Sequence, residues 1–321
     1  MTAALIIVAL LVGMYVVAGA VVFNETIKRP DHNDRNYDPS LDPAAFEPTG
    51  HTPFRINSHE GNIWWNSQPL ERLEQRSFDG LALVGHLLRA KEPSSKLAFL
   101  VHGHLCVSGE MGFIARMYYL RGYNVFIADQ RAHGKSEGEY IGMGHPESRD
   151  MLAWLPIVAQ ALGGEIEAVL HGISMGAATV MLMAGSPELP EYVKCAVEDC
   201  GYADAFGAIS NVANKRLRWQ PLYYANIPTR IASLINKLKF GFGFRDESAL
   251  AAVKRARVPI MFIHGDADPT VPYEMAHELY DACSSEKKLE TFRGAAHGVS
   301  YFAAKARYES SVFRFVERYI H

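Results

Sequence analysis

Ser174 stands between two glycines in the stretch GISMG, residues 172–176. Gly-x-Ser-x-Gly is the spacing of a serine held on a sharp strand-to-helix turn, with its hydroxyl presented for nucleophilic attack. A serine hydroxyl is a weak nucleophile and needs a base that a third group orients. Downstream, HGDADPTVP (264–272) supplies two carboxylates, Asp266 and Asp268, and GAAHGVSY (294–301) supplies His297. A further carboxylate, Asp199, ends the run CAVEDC. Such a group also needs donors for the oxyanion of a tetrahedral intermediate. VHGHLC (101–106) ends an apolar run, and Gly103 lets backbone approach a substrate closely. The backbone N–H groups of His104 and Met175 are therefore the expected donors. The His104 imidazole is expected to be packed rather than reactive.

Elements must bring these residues together. Six short apolar runs, beginning near residues 96, 124, 167, 195, 258 and 288, end at turn-forming or chemically active residue types. Helical periodicity fills the gaps at 110–121, 148–162, 174–184, 273–283 and 301–320. Strands alternating with helices imply a mostly parallel sheet covered on both faces, an α/β fold. Its chemistry is expected beyond the carboxyl ends of the strands. Asp79-Gly80 marks a hairpin turn ahead of an alternating strand, so the domain is expected over 77–321. The gap at about 202–250 is too long for one helix. Within it Ile231, Leu234, Ile235 and Leu238 form one apolar stripe. This predicts a helical cap insertion above the strand ends; the stripe by itself reads as packing, and only its location favours a pocket wall.

Residues 3–23 carry no charge, and at 1.5 Å per residue they match the roughly 30 Å of a bilayer's hydrocarbon. A cleaved signal peptide competes, because AGA at 18–20 resembles a cleavage site. The segment lacks a basic start and is longer than such peptides need, which favours a single-pass membrane anchor over 1–23. Lys28, Arg29 and Arg35 follow it, among Asp31 and Asp34. Pro30, Pro39, Pro43, Pro48 and Pro53 make the next segment read as a tether. With a short docking helix near Trp64 and Trp65, the tether is expected to fill 24–76. The formal net charge is −3 over 321 residues, and the cluster NKRLR at 214–218 reads as a solvated face, so no nucleic-acid partner is expected. The four cysteines, Cys106, Cys195, Cys200 and Cys283, read as buried thiols, with Cys195 and Cys200 on opposite faces of one strand. No zinc-type spacing is present, and His102 with His104 lacks a third ligand, so no metal or cofactor is expected.

The stretches VHGH, ADQRAHGKSEGEYIGMG, GISMGAATV, HGDADPTVP and AAHGVSY resemble those of the α/β-hydrolase superfamily over about residues 77–321. Within it the chain is similar to membrane-associated bacterial hydrolases of the serine aminopeptidase-like and esterase/lipase-like kinds. The resemblance implies an α/β-hydrolase fold with a Ser-Asp-His chain order. It makes Asp268 the acid in preference to Asp266 or Asp199. It implies a structural role for the loop of Asp129, Arg131, His133, Gly134 and Ser136. The HGGG sequence of some esterases is absent, so their oxyanion geometry does not carry over. The implied activity is hydrolysis of a small-molecule carboxylic ester through Ser174, Asp268 and His297. A peptidase or thioesterase on the same residues is the alternative, and a catalytically silent membrane-bound binding module is the alternative of another class.

Overall fold

The computed structural model describes residues 2–29, 52–217, 226–246 and 248–321. Residues 30–51 of the expected tether, Arg35 among them, lie outside the described residues, as does part of the expected cap at 218–225.

Eight strands form one sheet: β1 (Glu71–Arg76), β2 (Ala82–Leu88), β3 (Lys96–Val101), β4 (Asn124–Ala128), β5 (Glu167–Ile173), β6 (Val193–Asp199), β7 (Ile260–Gly265) and β8 (Lys287–Phe292). Their order is β1-β2-β4-β3-β5-β6-β7-β8. The β1–β2 and β2–β4 pairs are antiparallel, and every pair from β4 to β8 is parallel. The sheet begins earlier than the expected boundary at 77. β1 lies in what reads as tether, because ERLEQR carries four charges and shows strand character only in its pairing with β2.

The helices are α1 (Thr2–Ile27), α2 (Thr52–Asn66), α3 (Gly112–Tyr119), α4 (His145–Ala161), α5 (Met175–Ala184), α6 (Ala205–Leu217), α7 (Ile227–Phe240), α8 (Ala249–Val253), α9 (Glu274–Ala282), α10 (Ser300–Ala303) and α11 (Lys305–Val316). The C-terminal helix expected over 301–320 is thus two helices meeting at Ala304.

Strand periodicity sorts the core into two layers. On β3, Leu97, Phe99 and Val101 face a cluster that includes Met151, Trp154 and Leu155 of α4 and Val180 of α5. Ala98 and Leu100 face the other, with Ile114 of α3, Val312 and Phe315 of α11, and Trp65 of α2. All four cysteines are free and buried. Cys195 and Cys200 share one layer rather than opposite faces. β6 ends at Asp199 and Cys200 turns to φ +52°, which breaks the alternation.

Helices α6, α7 and α8 stand between β6 and β7, and among the described residues the α7 stripe packs on α1 rather than walling a pocket. Leu234 and Leu238 are 55% and 81% exposed, and Ile231 packs against Gly19 of α1. A Cβ on Gly19 would sit 2.4 Å from Ile231 Cγ2, so only glycine permits this approach of α1 to α7. α1 runs four residues past its expected end and docks. Ile141 N–H donates to Ile27 O at 2.6 Å, and the Arg29 guanidinium donates to Ser136 O and Gly134 O at 2.8 and 2.7 Å. Lys28 pairs with Tyr140 through an isolated antiparallel β-bridge of the backbone. Of the basic residues after the apolar run, the Arg29 side chain thus serves docking.

One buried cation ties the antiparallel hairpin to the parallel part of the sheet. Arg131, beyond β4, grips Asp79 of the β1–β2 turn at 2.9 and 3.0 Å. It also grips Asp150 of α4 at 2.7 and 3.0 Å. The Asp150 side chain is wholly buried, so removing its partner strands a charge in low dielectric. Arg131→Ala is expected to cost about 3–5 kcal/mol of unfolding free energy. Arg131→Lys should restore only part of it, since an ammonium cannot serve both carboxylates with paired donors. Urea unfolding of the three proteins checks this.

Candidate active site

Ser174 occupies the single residue between β5 and α5. Its backbone stands at φ +57°, ψ −117°, a conformation that L-residues adopt only under external constraint. The two flanking glycines supply that constraint. A Cβ on Gly172 would meet Gly176 O at 2.2 Å, and one on Gly176 would meet Val101 O of β3 at 2.0 Å. The turn is therefore sharp because α5 starts directly against the neighbouring strand. Although Ser174 sits at the N-cap position, its side chain makes no cap bond. Its Oγ lies 2.8 Å from His297 Nε2 instead.

His297 Nδ1 in turn lies 2.7 Å from Asp268 Oδ2. Among the three carboxylates open in the sequence, Asp268 makes this contact. Asp266 is exposed and accepts from Gly294 N–H. Asp199 is buried under hydrogen bonds from Tyr308 and Ser300 at 2.9 and 3.3 Å. Asp268 is richly bonded. Its Oδ1 accepts from the Thr270 and Val271 amides at 2.7 and 2.9 Å, and His264 Nε2 lies 3.3 Å from Oδ2. Burial alone would raise its pKa, but the hydrogen bonds from His264 and His297 hold the carboxyl well below the usual carboxylate range. His264, not anticipated from the sequence, is thus a second histidine on the acid. It had no signal beyond its place two residues before Asp266.

Of the two expected oxyanion donors, His104 lines the same cavity as Ser174 and His297. Met175 is the first residue of α5, where N–H groups have no intrahelical acceptor. His104 lies on the loop after β3, and Gly103, His104, Ser174 and His297 all line one cavity. The loop is held from three sides. Leu105 N–H donates to His133 Nε2 at 3.1 Å, and Ser108 N–H donates to Asp129 Oδ1 at 2.8 Å. The His104 ring donates from Nε2 to Thr26 O, the penultimate carbonyl of α1, at 2.8 Å. Burial lowers the His104 pKa to about 4, and burial also pushes His102 and His133 down, so the trio is neutral at pH 7. His102 Nε2 accepts from Gln130 N–H at 3.0 Å. Thr26, Asp129 and His133 are the positioning residues here, and Thr26 carries no signal in the sequence.

The cavity holds about 450 Å³ and is mostly apolar. Its cap wall is Ala208, Ile209, Val212 and Ala213 of α6, not the α7 stripe. Opposite stand Ala18, Val21, Val22, Glu25 and Thr26 of α1. Cys200 Sγ, an Asp268 oxygen and a His297 nitrogen lie within 4.8 Å of one another. Both imidazole nitrogens of His297 already face Asp268 and Ser174.

Residues 111–321 match the family model described as the prolyl oligopeptidase family. The chain is 30% identical over 198 residues to the uncharacterized protein YqkD of Bacillus subtilis, covering 61% of this chain and 63% of that one. The match thus spans somewhat less than two thirds of that relative. It is 24% identical over 233 residues to protein bem46 of Schizosaccharomyces pombe, covering 71% and 70%. Among solved structures, the Pyrococcus furiosus esterase Pf2001 superposes with a TM-score of 0.64 at 21% identity, over 79% of this chain and 93% of that one. The Pyrococcus horikoshii acylaminoacyl peptidase gives 0.60 at 16% identity, over 81% and 43%. The fold is that of the α/β hydrolases.

Two expectations follow. Gly176→Ala forces a methyl against a backbone carbonyl that cannot retreat, and should cost about 3 kcal/mol, the upper range for overpacking, in urea unfolding. Glu198, beneath the site, has Oε1 unpartnered, and burial raises its pKa from 4.5 to about 8. The folded chain then holds this proton more tightly than the unfolded one. Wild-type stability relative to Glu198→Gln should fall as pH rises from 4.5 to about 8 and then level, by at most ~1.4 kcal/mol per pH unit. Urea titrations at about pH 5, 7 and 9 read the trend.

Proposed function

The chain belongs to the prolyl oligopeptidase family, and within that family we propose, on the geometry and lining of its site, that it hydrolyses carboxylic esters through Ser174, His297 and Asp268. The observation that carries the reading is the continuous path from Ser174 Oγ to His297 Nε2 at 2.8 Å and from His297 Nδ1 to Asp268 at 2.7 Å. Ser174 Oγ attacks the carbonyl carbon while His297 Nε2 takes its proton. Asp268 holds the ring in the tautomer with hydrogen on Nδ1 and stabilises the imidazolium. The tetrahedral oxyanion is received by the His104 and Met175 amides. Collapse returns the proton to the leaving alkoxide and releases the alcohol. Water, deprotonated by His297, then cleaves the acyl-enzyme to acid and free Ser174. No metal or organic cofactor enters these steps.

The apolar lining favours an acyl chain as the group held. Peptide hydrolysis on the same residues is the second reading, favoured by the family match itself.

We read α1 as a retained membrane anchor. It is one helix long and apolar enough to cross a bilayer, over Leu5–Ile27. Cleavage after Ala20 would remove Ala18 from the cavity wall and Gly19 from the α7 contact, which supports retention over processing.

A fluorophosphonate probe should label the wild type and fail on Ser174→Ala. Turnover of an ester should fall by on the order of 10⁴–10⁶ in kcat for Ser174→Ala or His297→Ala, and by about 10⁴ for Asp268→Asn. No labelling of the wild type refutes the hydrolase reading. Cleavage of peptides without ester turnover moves it to the peptidase.

A further inference from the structure

We propose that the substrate is a membrane glycerolipid, whose acyl chain enters the cavity from the bilayer alongside α1. The proposal rests on the serine-hydrolase and anchor readings above and adds the substrate class.

The cavity residues of α1 are Ala18, Val21, Val22, Glu25 and Thr26, spaced i, i+3, i+4, i+7 and i+8, which is one helical face. The same helix therefore has two surroundings. From Leu5 to Val12 its large side chains stand 44–68% exposed among the described residues. From Gly19 onward the helix packs against α7 and lines the cavity, where Val21 is 46% exposed. An apolar helix bare on its outer faces is stable where lipid covers it.

Depth follows from helix geometry. The twenty residues from Leu5 to Asn24 rise about 30 Å, the thickness of the hydrocarbon. With polar Asn24 and Glu25 at the headgroup boundary, Val22 lies about 3 Å and Ala18 about 9 Å inside it. The wall of the cavity thus stands at the depth where ester groups join acyl chains to headgroups. Ser174 and His297 open into that same cavity. Leu234 and Leu238 of α7, which packs against α1 through Ile231, are exposed as well. A lipid sliding out beside α1 would bring its carbonyl to Ser174 without carrying its chain through water, which costs roughly 0.8 kcal/mol per CH₂. The products are a lysolipid and a fatty acid, with water as the only co-reactant.

The test uses the full chain reconstituted in phosphatidylethanolamine–phosphatidylglycerol vesicles. Fatty-acid release from the vesicle lipid is followed by mass spectrometry beside turnover of soluble p-nitrophenyl acetate. Wild type should release fatty acid. Ala18→Trp and Val21→Trp, which narrow the α1 wall, should lower the lipid-to-acetate rate ratio at least tenfold. Fluorophosphonate labelling of each variant reports that its Ser174 site is intact. Acetate turnover without fatty-acid release overturns the lipid proposal and leaves the hydrolase standing. An unchanged ratio in both labelled variants also overturns it. Faster cleavage of an S-acylated peptide than of lipid in the same vesicles overturns it in favour of a thioester source. Absence of labelling and of both turnovers overturns the hydrolase reading beneath it.

Discussion

The contact on which the rest depends is the approach of α5 to β3. Gly176 leaves no room for even a methyl group above Val101 O, and Gly172 leaves none beside Gly176 O. That closeness turns the chain so sharply that Ser174 takes φ +57°. Its amide then donates to Asp199 O at 2.8 Å, so the turn is also pinned to β6. The serine hydroxyl, denied its capping role, points to His297. Local strain of this kind costs on the order of 1–3 kcal/mol and persists only where the surroundings over-determine it. Here the surroundings are two strands of a parallel sheet, β3 and β6, buried on both faces except at Lys96 and Lys194.

Around this turn the polar groups divide into two sets. Behind His297, Asp268 is kept ionised by two histidines and two amides. Beneath the His104 loop, three histidines are kept neutral by burial, which leaves His133 Nε2 as an acceptor for Leu105 N–H. With His133 Nδ1 donating to Arg131 O, a second proton on that ring would break the acceptor. The loop Asp129–Ser136 is structural in this sense, since it holds the residues that face the cavity without reaching it.

Much of this could be read before any coordinates. Six strands, the cap and the clustering of Ser174, His297 and Asp268 were legible because each residue type stands just past an apolar run, and a parallel sheet delivers those ends to one edge. The choice between Asp266 and Asp268 was not contained in spacing alone. β7 stops at Gly265, and only the turn through Pro269 decides which carboxylate folds back. The α7 stripe was legible as a face but not as to what covers it, because periodicity carries no information about the neighbour. α1 shows the same limit more sharply. An unbroken apolar run reads alike whether lipid, α7 or a cavity lies beside it. The hydrogen bond from His104 reaches its backbone carbonyl, a group that every residue possesses.

That bond joins positions 78 residues apart, and those of Arg29 to Gly134 and Ser136 join positions more than 100 apart. α1 is therefore translated before every partner it will meet. Until residues beyond 230 leave the ribosome, its inner face has neither α7 nor cavity to cover it. Contacts of such range form late, because the loop between them must close first. The α1 side of the cavity wall is in this sense made before its partners and installed after them. On the anchor reading proposed above, lipid shelters the apolar face of the helix in the interval, and membrane insertion becomes a holding stage in assembly.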